Sequence, residues 1–383
     1  QSLEVKQMIL KKDLQEVFAN YGFDAASYVN IKQIKIGHIN STYTLYFDHG
    51  SSVKRYLLQE INTNVFKNPI QLMENIEKIT TFLGEKVRLS GAKNYENLSL
   101  KVLKTIDHHS YMISSKNHFF RVYNFIENAK TYQKTNDLKL FYNAGKTVGT
   151  FQNMLSDFDA SQLHETIPNF HNTPYRFQTF LRILKENPCD RAKNCEEEIQ
   201  FVLHLKDFTS AITSLIEKNM IPIKVTHNDT KLNNIMFDCE TKEGLCLVDL
   251  DTVMPGTILY DFGDAIRSGC NRAEEDEKNL EKVRFSVDLF KSFTEGYLSS
   301  VASSITECEV QHLVDSAILM TFECGMRFLT DYLDGDHYFK TKYDEHNLVR
   351  CKTQFHLVKQ MIEQKDILEE IVQEAYKKES NWK

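Results

Sequence analysis

The apolar positions of this chain change their period along its length, and the changes mark out its elements. From Val5 to Tyr21 they recur at Met8, Ile9, Leu14, Val17 and Phe18, the spacing of one helical face. Three short runs rich in β-branched and aromatic residues follow, Ile34 to Ile36, Thr42 to Phe47 and Val53 to Gln59, and these predict strands. Asp48-His49-Gly50 supplies the turn between the last two, while Gly37-His38-Ile39-Asn40-Ser41-Thr42 is a polar loop between the first two. A helix is predicted over Pro69 to Phe82, with Leu72, Ile76 and Ile79 on one face, and Phe119 to Ile126 reads as a buried strand.

Past the polar connector Glu127 to Lys130 the period is mostly helical. Leu138, Phe141, Ala144, Val148, Phe151 and Leu155 share a face, and further helices fit Arg176 to Lys185, Glu196 to Lys218, Val314 to Leu333 and the polar stretch after Asp344. Pro168 to Arg176 is expected to be a loop and Met254-Pro255-Gly256-Thr257 a turn. The expectation is an α+β chain: a small β-rich N-terminal lobe over residues 1–126, hinged to a larger, mainly helical lobe over 127–383. A nucleotide base would stack at such a hinge and bond its backbone.

Composition narrows the class. A hydrophobic share of 42% and a charged share of 26% belong to an ordinary soluble globular protein, and a net charge of -7 argues against a general nucleic-acid binder. No apolar run approaches the roughly 20 residues that span a bilayer. The eight cysteines contain no C-x-x-C pair, and Gln1 to Lys12 has no signal-peptide core and no initiator Met, as if trimmed. The expectation is a cytoplasmic monomer with reduced thiols, binding neither nucleic acid nor membrane.

The densest chemistry lies between Val225 and Asp251. An apolar run leads into His227-Asn228-Asp229, Asn234 follows, and a turn from Asp238 to Gly244 joins Asn234–Phe237 to Leu245–Val248 as in a β-hairpin. Asn234 and Asp249 would then flank the hairpin and bring two oxygen ligands to one ion. Phosphoryl transfer from a nucleotide needs this set: an aspartate to accept the proton of the attacking hydroxyl, and an asparagine and second aspartate to hold Mg²⁺. Asp229 is the candidate base, Asn234 and Asp249 the candidate metal ligands. A plain polar loop before a strand with acidic residues at its end is the alternative.

Three features stay open from the residues alone. The loop at His38 either covers phosphates with its backbone amides or is a β-turn. Asp261 or Asp264 either braces the catalytic loop or caps a helix. Glu323, Arg327 and Asp331, spaced by four, either face a cleft or form exposed ion pairs.

His227-Asn228-Asp229 with Asn234 and Asp249 resembles the aminoglycoside phosphotransferase and choline kinase family, relatives of the protein kinases. Within that group Gly37–Asn40, Val225–Ile235, Asp249–Thr252 with Met254–Gly256, Tyr260–Arg267, Glu323–Leu329 and Glu345–Arg350 are similar to bacterial N-acetylhexosamine 1-kinases. The similarity spans nearly the whole chain. It implies a bilobal protein-kinase-like fold and ATP- and Mg²⁺-dependent phosphorylation of the anomeric C1 hydroxyl of N-acetylglucosamine or N-acetylgalactosamine, giving the α-1-phosphate used in nucleotide-sugar synthesis.

The resemblance implies Asp229 as base and Asn234 and Asp249 as metal ligands. His38 and Arg327, with Asp229 and Tyr338, are implied around the sugar, and His227 and Asp261 in structural support. Protein kinases carry a phosphate-binding lysine on their third strand. Here Arg55-Tyr56-Leu57-Leu58-Gln59-Glu60 has none at its centre, so Gln59 is expected in that place, Lys54 or Arg55 near the phosphates, and Phe125 and Ile126 at the nucleotide base. Three readings compete: a kinase of the same fold for an aminoglycoside, choline or homoserine; a catalytically silent nucleotide-binding protein; and a metal-dependent hydrolase using His227, Asp229 and Asp249, which would need further ligands. Arg327 leans toward a neutral acceptor.

Overall fold

Period-two alternation builds the sheet of the N-terminal part of the chain. Strands β1 (Tyr28–Ile34), β2 (Ser41–Asp48), β3 (Val53–Glu60), β4 (Met112–Ile113) and β5 (Phe119–Asn124) pair antiparallel in the order β1-β2-β3-β5-β4. Leu45, Phe47, Leu58, Phe120 and Val122 form one core with Val17 of helix α1 (Leu3–Tyr21). Each such fully buried side chain contributes about 2 kcal/mol of transfer free energy. The alternate residues, Gln59 and Arg121 among them, face the other way, where Arg121 meets Met73 of α2 (Pro69–Leu89). Asn68 caps α2 by accepting from Gln71 N, and Pro69 sits where its missing N–H costs nothing.

The computed structural model describes residues 3–34, 39–93 and 95–380. By its contacts the chain divides into two units, Gln1–Ala129 with Ser161–Ile167, and Lys130–Ala160 with Pro168–Lys383. The two-residue strand β6 (Ala129–Lys130) stands at the passage between them. Asn75 ties Ser161–Ile167 into the first unit: its side chain donates to His164 O and accepts from His164 N, both at 2.8 Å.

The second unit holds α3 (Leu138–Met154), α4 (Thr173–Glu186), α5 (Glu196–His204), α6 (Thr213–Glu217), β7 (Lys224–Thr226), β8 (Ile235–Asp238), β9 (Gly244–Leu247) and β10 (Met254–Gly256). It continues with α7 (Ile258–Gly269), α8 (Val287–Val301), α9 (Glu307–Gln311), α10 (Leu313–Asp334), α11 (His346–Glu363) and α12 (Lys365–Ser380). β8 and β9 form the expected antiparallel hairpin, and β7 pairs with β10. Helix α7 is buried from Ile258 through Ile266 and lies close against α10 at Gly263, where an added Cβ would fall 2.4 Å from Ser316 O. That approach requires glycine.

Several boundaries differ from the sequence expectation. The first strand runs over Tyr28–Ile34 rather than Ile34 to Ile36, whose last two residues lie outside the described ones. It is an edge strand with much of its surface exposed, so its polar interruptions hide the period. The strand expected to reach Ile126 ends at Asn124, whose side chain accepts from Lys101 N. Helix α4 starts inside the expected loop, because Asn172 caps it and Pro174 fits its first turn. The helix expected over Glu196 to Lys218 breaks after His204, where Thr209 and Ser210 hydroxyls bond local carbonyls in a 3₁₀ turn. Met254–Gly256 is a strand, not a turn. No helix of the described residues is long and apolar enough to cross a membrane.

Candidate active site

The loop between β7 and β8 is pinned from below by one carboxylate. Asp261, fully buried on α7, accepts from His227 N through Oδ2 at 3.0 Å and from Asn228 N through Oδ1 at 2.7 Å. Both amides end on this one carboxylate, and the chain then turns at Asn228, whose φ of 67° is a left-handed conformation that asparagine tolerates. Gln152 Nε2 donates to the same carboxylate at 3.2 Å, and the Thr230 hydroxyl donates to Asp261 O. Burial pushes the Asp261 carboxyl above its ordinary range, against the opposing pull of His227 and of the amides it accepts. The residue that caps α7 is Thr257, so neither Asp261 nor Asp264 plays that part. Asp264 instead pairs with Arg267 at 2.9 Å.

His227 ties the loop to the hairpin. Its Nδ1 accepts from Asp229 N at 3.2 Å, which leaves Nε2 to carry the proton and donate to Val248 O at 3.0 Å. Thr252 Oγ1 donates to His227 O at 2.7 Å, and Asn228 Nδ2 to Thr252 O at 2.9 Å.

Asp229 is half-buried above this frame. Asn234 Nδ2 donates to Asp229 O at 2.8 Å and to Asp229 Oδ2 at 3.0 Å, and Lys231 Nζ lies 3.2 Å from Asp229 Oδ1. The charge of Asp229 holds the Lys231 ammonium above its ordinary pKa. With its amide nitrogen committed to Asp229, Asn234 has its carbonyl oxygen left for a cation. In the hairpin Ile235 pairs with Leu247 and Val248 N donates to Asn234 O, so Asn234 and Asp249 leave the same end of the ladder. Asp249 is exposed and adopts φ 58°, ψ 64°. An asparagine carbonyl and carboxylates form the hard-oxygen set that Mg²⁺ takes. No group of three or more His, Cys, Asp or Glu placed to hold a metal occurs among the described residues, so any such ion would draw part of its shell from asparagine, water or a ligand.

A second cluster joins this loop to α10. His171 Nδ1 lies 2.8 Å from Glu323 Oε1, His171 Nε2 lies 3.4 Å from Asn228 O, and Thr173 Oγ1 donates to Glu323 Oε2 at 2.6 Å. Burial would raise the Glu323 carboxyl, but His171, Thr173 and Arg327 outweigh it and hold it below its ordinary value. One turn on, Arg327 Nη2 lies 3.4 Å from Tyr338 Oη, with the guanidinium over the Tyr338 and Phe339 rings. Asp331 accepts from Tyr338 N and Phe339 N at 2.8 and 2.9 Å, fixing that segment. Glu323, Arg327 and Asp331 are thus bound to other elements rather than to one another as exposed pairs. Arg176 Nη2 donates to Phe170 O at 3.1 Å while its buried Nε has no hydrogen-bond partner; burial, then the Arg327 charge, lowers its pKa.

In the first unit Gln59 is half-buried on β3, Ile126 is buried in the core, and Phe125 carries the Arg55 guanidinium 4.0 Å above its ring. Arg55 also pairs with Glu127, and Lys54 lies over the Tyr56 ring, so both basic side chains considered for phosphate binding are engaged locally. His38 lies outside the described residues. His171, Arg176 and Lys231 were not singled out from the sequence; Lys231, two residues after Asp229, was the one within reach of a local reading.

Residues 30–282 match the family described as APH, phosphotransferase enzyme family. Among solved structures, the chain is similar to an ethanolamine kinase of Plasmodium vivax, with 16% identity, TM-score 0.54, and coverage of 93% of this chain and 95% of that one. A choline kinase of Cryptosporidium parvum Iowa II gives 13% identity and TM-score 0.56 over 93% and 96%. A spectinomycin phosphotransferase in complex with ADP and spectinomycin gives 13% and 0.51 over 92% and 96%. The chain shares their kinase-like α+β fold.

Proposed function

Because the chain belongs to the phosphotransferase enzyme family, we propose that it is an ATP- and Mg²⁺-dependent kinase acting on the anomeric C1 hydroxyl of an N-acetylhexosamine, N-acetylglucosamine or N-acetylgalactosamine, to form the α-1-phosphate. The observation that carries the catalytic part is the setting of Asp229, its carboxylate oriented by Asn234 and its loop braced on Asp261. Asp229 accepts the proton of the attacking hydroxyl. A hemiacetal hydroxyl is more acidic than an ordinary alcohol, so a carboxylate assists it with little perturbation.

The Asn234 carbonyl and Asp249 carboxylate would hold Mg²⁺, which when bound neutralises the nucleotide phosphates. Gln59 and the backbone around Phe125 and Ile126 contact the nucleotide. His38, Arg327 and Tyr338 hold the sugar, and His227 keeps the loop in register with the hairpin. Since the transition state is loose, positioning of these groups supplies most of the rate. The guanidiniums of Arg176 and Arg327 disfavour a cationic acceptor such as choline, ethanolamine or an aminoglycoside.

ATP consumption with Mg²⁺ over N-acetylglucosamine, N-acetylgalactosamine, glucose, galactose, choline, homoserine and kanamycin, with phosphorus NMR of any product, tests the reading. An anomeric phosphate from the N-acetyl sugars is expected. Turnover of another acceptor overturns the sugar assignment, and turnover of none favours a silent nucleotide-binding protein.

A further inference from the structure

Asp261, which receives the amides of His227 and Asn228, is itself held from behind. Gln152 on α3 is 3% exposed, and its Nε2 lies 3.2 Å from both Asp261 Oδ2 and Ile258 O. Two acceptors before one group fix which end of the carboxamide is the nitrogen, so its oxygen faces away from Asp261. There the hydroxyl of Tyr297, fully buried on α8, donates to it.

Main-chain packing brings Tyr297 to that place. A Cβ added at Gly149, one turn before Gln152, would fall 2.5 Å from Tyr297 O, so α3 and α8 meet backbone to backbone at this level. Phe293 and Phe262 pack against the Tyr297 ring, at 6.3 and 5.2 Å between centroids. The ring belongs to the core, and its oxygen alone enters the polar line. Beside Gln152, Phe151 sets its ring edge-on to that of His227 at 5.8 Å, so α3 meets the catalytic loop and its brace at two adjacent residues.

Asp261 Oδ2 accepts from both His227 N and Gln152 Nε2. A turn of the Gln152 side chain would release one of these restraints and let the carboxylate rotate under the loop. Losing the Tyr297 donor would leave the Gln152 oxygen buried and unpaired, a cost that such a turn relieves. We infer that Tyr297 is a positioning residue for phosphoryl transfer: through Gln152 and then Asp261 it holds the loop that carries Asp229. The inference rests on the function proposed above, with Asp229 as base. It describes a line of dependence, in which each member acts on the loop through the next.

Steady-state kinetics of the full chain with ATP, Mg²⁺ and N-acetylglucosamine, joined to amide hydrogen exchange, tests it. Tyr297→Phe removes one oxygen and keeps the ring; it is expected to lower kcat about fivefold, the weight of one buried hydrogen bond, with the KM for ATP within about twofold of wild type. Gln152→Met keeps the length of the side chain and is expected to lower kcat about tenfold or more. In the double variant the losses should not multiply: its kcat should equal that of Gln152→Met, since Tyr297 has nothing left to act through. Exchange over residues 225–231 should quicken in each variant while exchange in α10 stays as in wild type. A folded Tyr297→Phe protein with wild-type kcat overturns the inference. So do losses that multiply in the double variant, or loop exchange that quickens only together with α10, which marks a purely structural role. If Gln152→Met does not fold, Tyr297→Phe decides alone by kcat and exchange. A wild-type chain that phosphorylates no acceptor overturns the proposed function and the catalytic part of this inference with it; the exchange comparison then decides whether Tyr297 holds the loop.

Discussion

Around Asp229, the amides of His227 and Asn228 end on a fully buried carboxylate, the His227 ring bonds Asp229 and Val248, and Thr252 closes the frame. Around Arg327 the construction is looser. Its partner Tyr338 is 67% exposed and the bond between them is 3.4 Å long, while the buried carboxylates beside it bond elsewhere, Glu323 to the side chains of His171 and Thr173 and Asp331 to the amides of Tyr338 and Phe339. The difference separates two tasks. On the proposed function, Asp229 as proton acceptor would have to sit at one position for any substrate, which an over-determined loop provides, whereas groups such as Arg327 that would choose the acceptor can be fewer and softer.

Changes at the rigid end should have the largest effect. Asp229→Asn is expected to lower kcat by about a thousandfold while leaving the melting transition in place, the scale of a lost general base. A variant retaining most of its kcat would remove Asp229 from that role. Asp261→Ala should strip partners from two buried amides and cost about 3 kcal/mol in urea unfolding, with kcat falling as the loop loosens. If stability fell while kcat held, the frame would be support for the fold alone.

Glu323 joins the two regions, and its effect should depend on pH. Its folded-state carboxyl lies below the ordinary value, so its stabilisation is fully present above the unfolded value and is lost as pH falls through the folded one. Glu323→Gln should therefore be destabilising by about 2 kcal/mol at pH 7 and progressively less so in acid, read from unfolding curves at several pH values. At the soft end, Arg327→Ala is expected to raise the acceptor KM about tenfold with little change in kcat, the weight of a hydrogen bond to a charged group. Tyr338→Phe should be smallest, within about 0.5 kcal/mol in stability, and a slight rise in acceptor KM would sharpen the contrast.

The same division explains what could be read from the sequence. Asp229, Asn234, Asp249 and their hairpin lie within one short stretch whose period and turn residues dictate its geometry, and Asp261 follows closely enough for its bracing role to be considered. His171 and Arg176 escaped because they sit where loop residues run into α4, and their partners, Glu323 and Arg327, come from a helix far along the chain. No local pattern announces such a meeting. Tyr297 escaped for a related reason: inside α8 it reads as one more core ring, and only the packing of α8 on α3 gives its hydroxyl Gln152. The misplaced first strand and the broken helix after His204 show edge exposure and hydroxyl competition overriding period.

Asp249 also governs how its own position can be interrogated. At φ 58° an alanine carries a steric penalty of about 1 kcal/mol or more, which asparagine and glycine largely escape. An alanine variant there would report backbone strain and lost charge as a single number. Asparagine keeps the conformation and removes the charge, and glycine removes the whole side chain, so those two substitutions resolve the position into separate quantities.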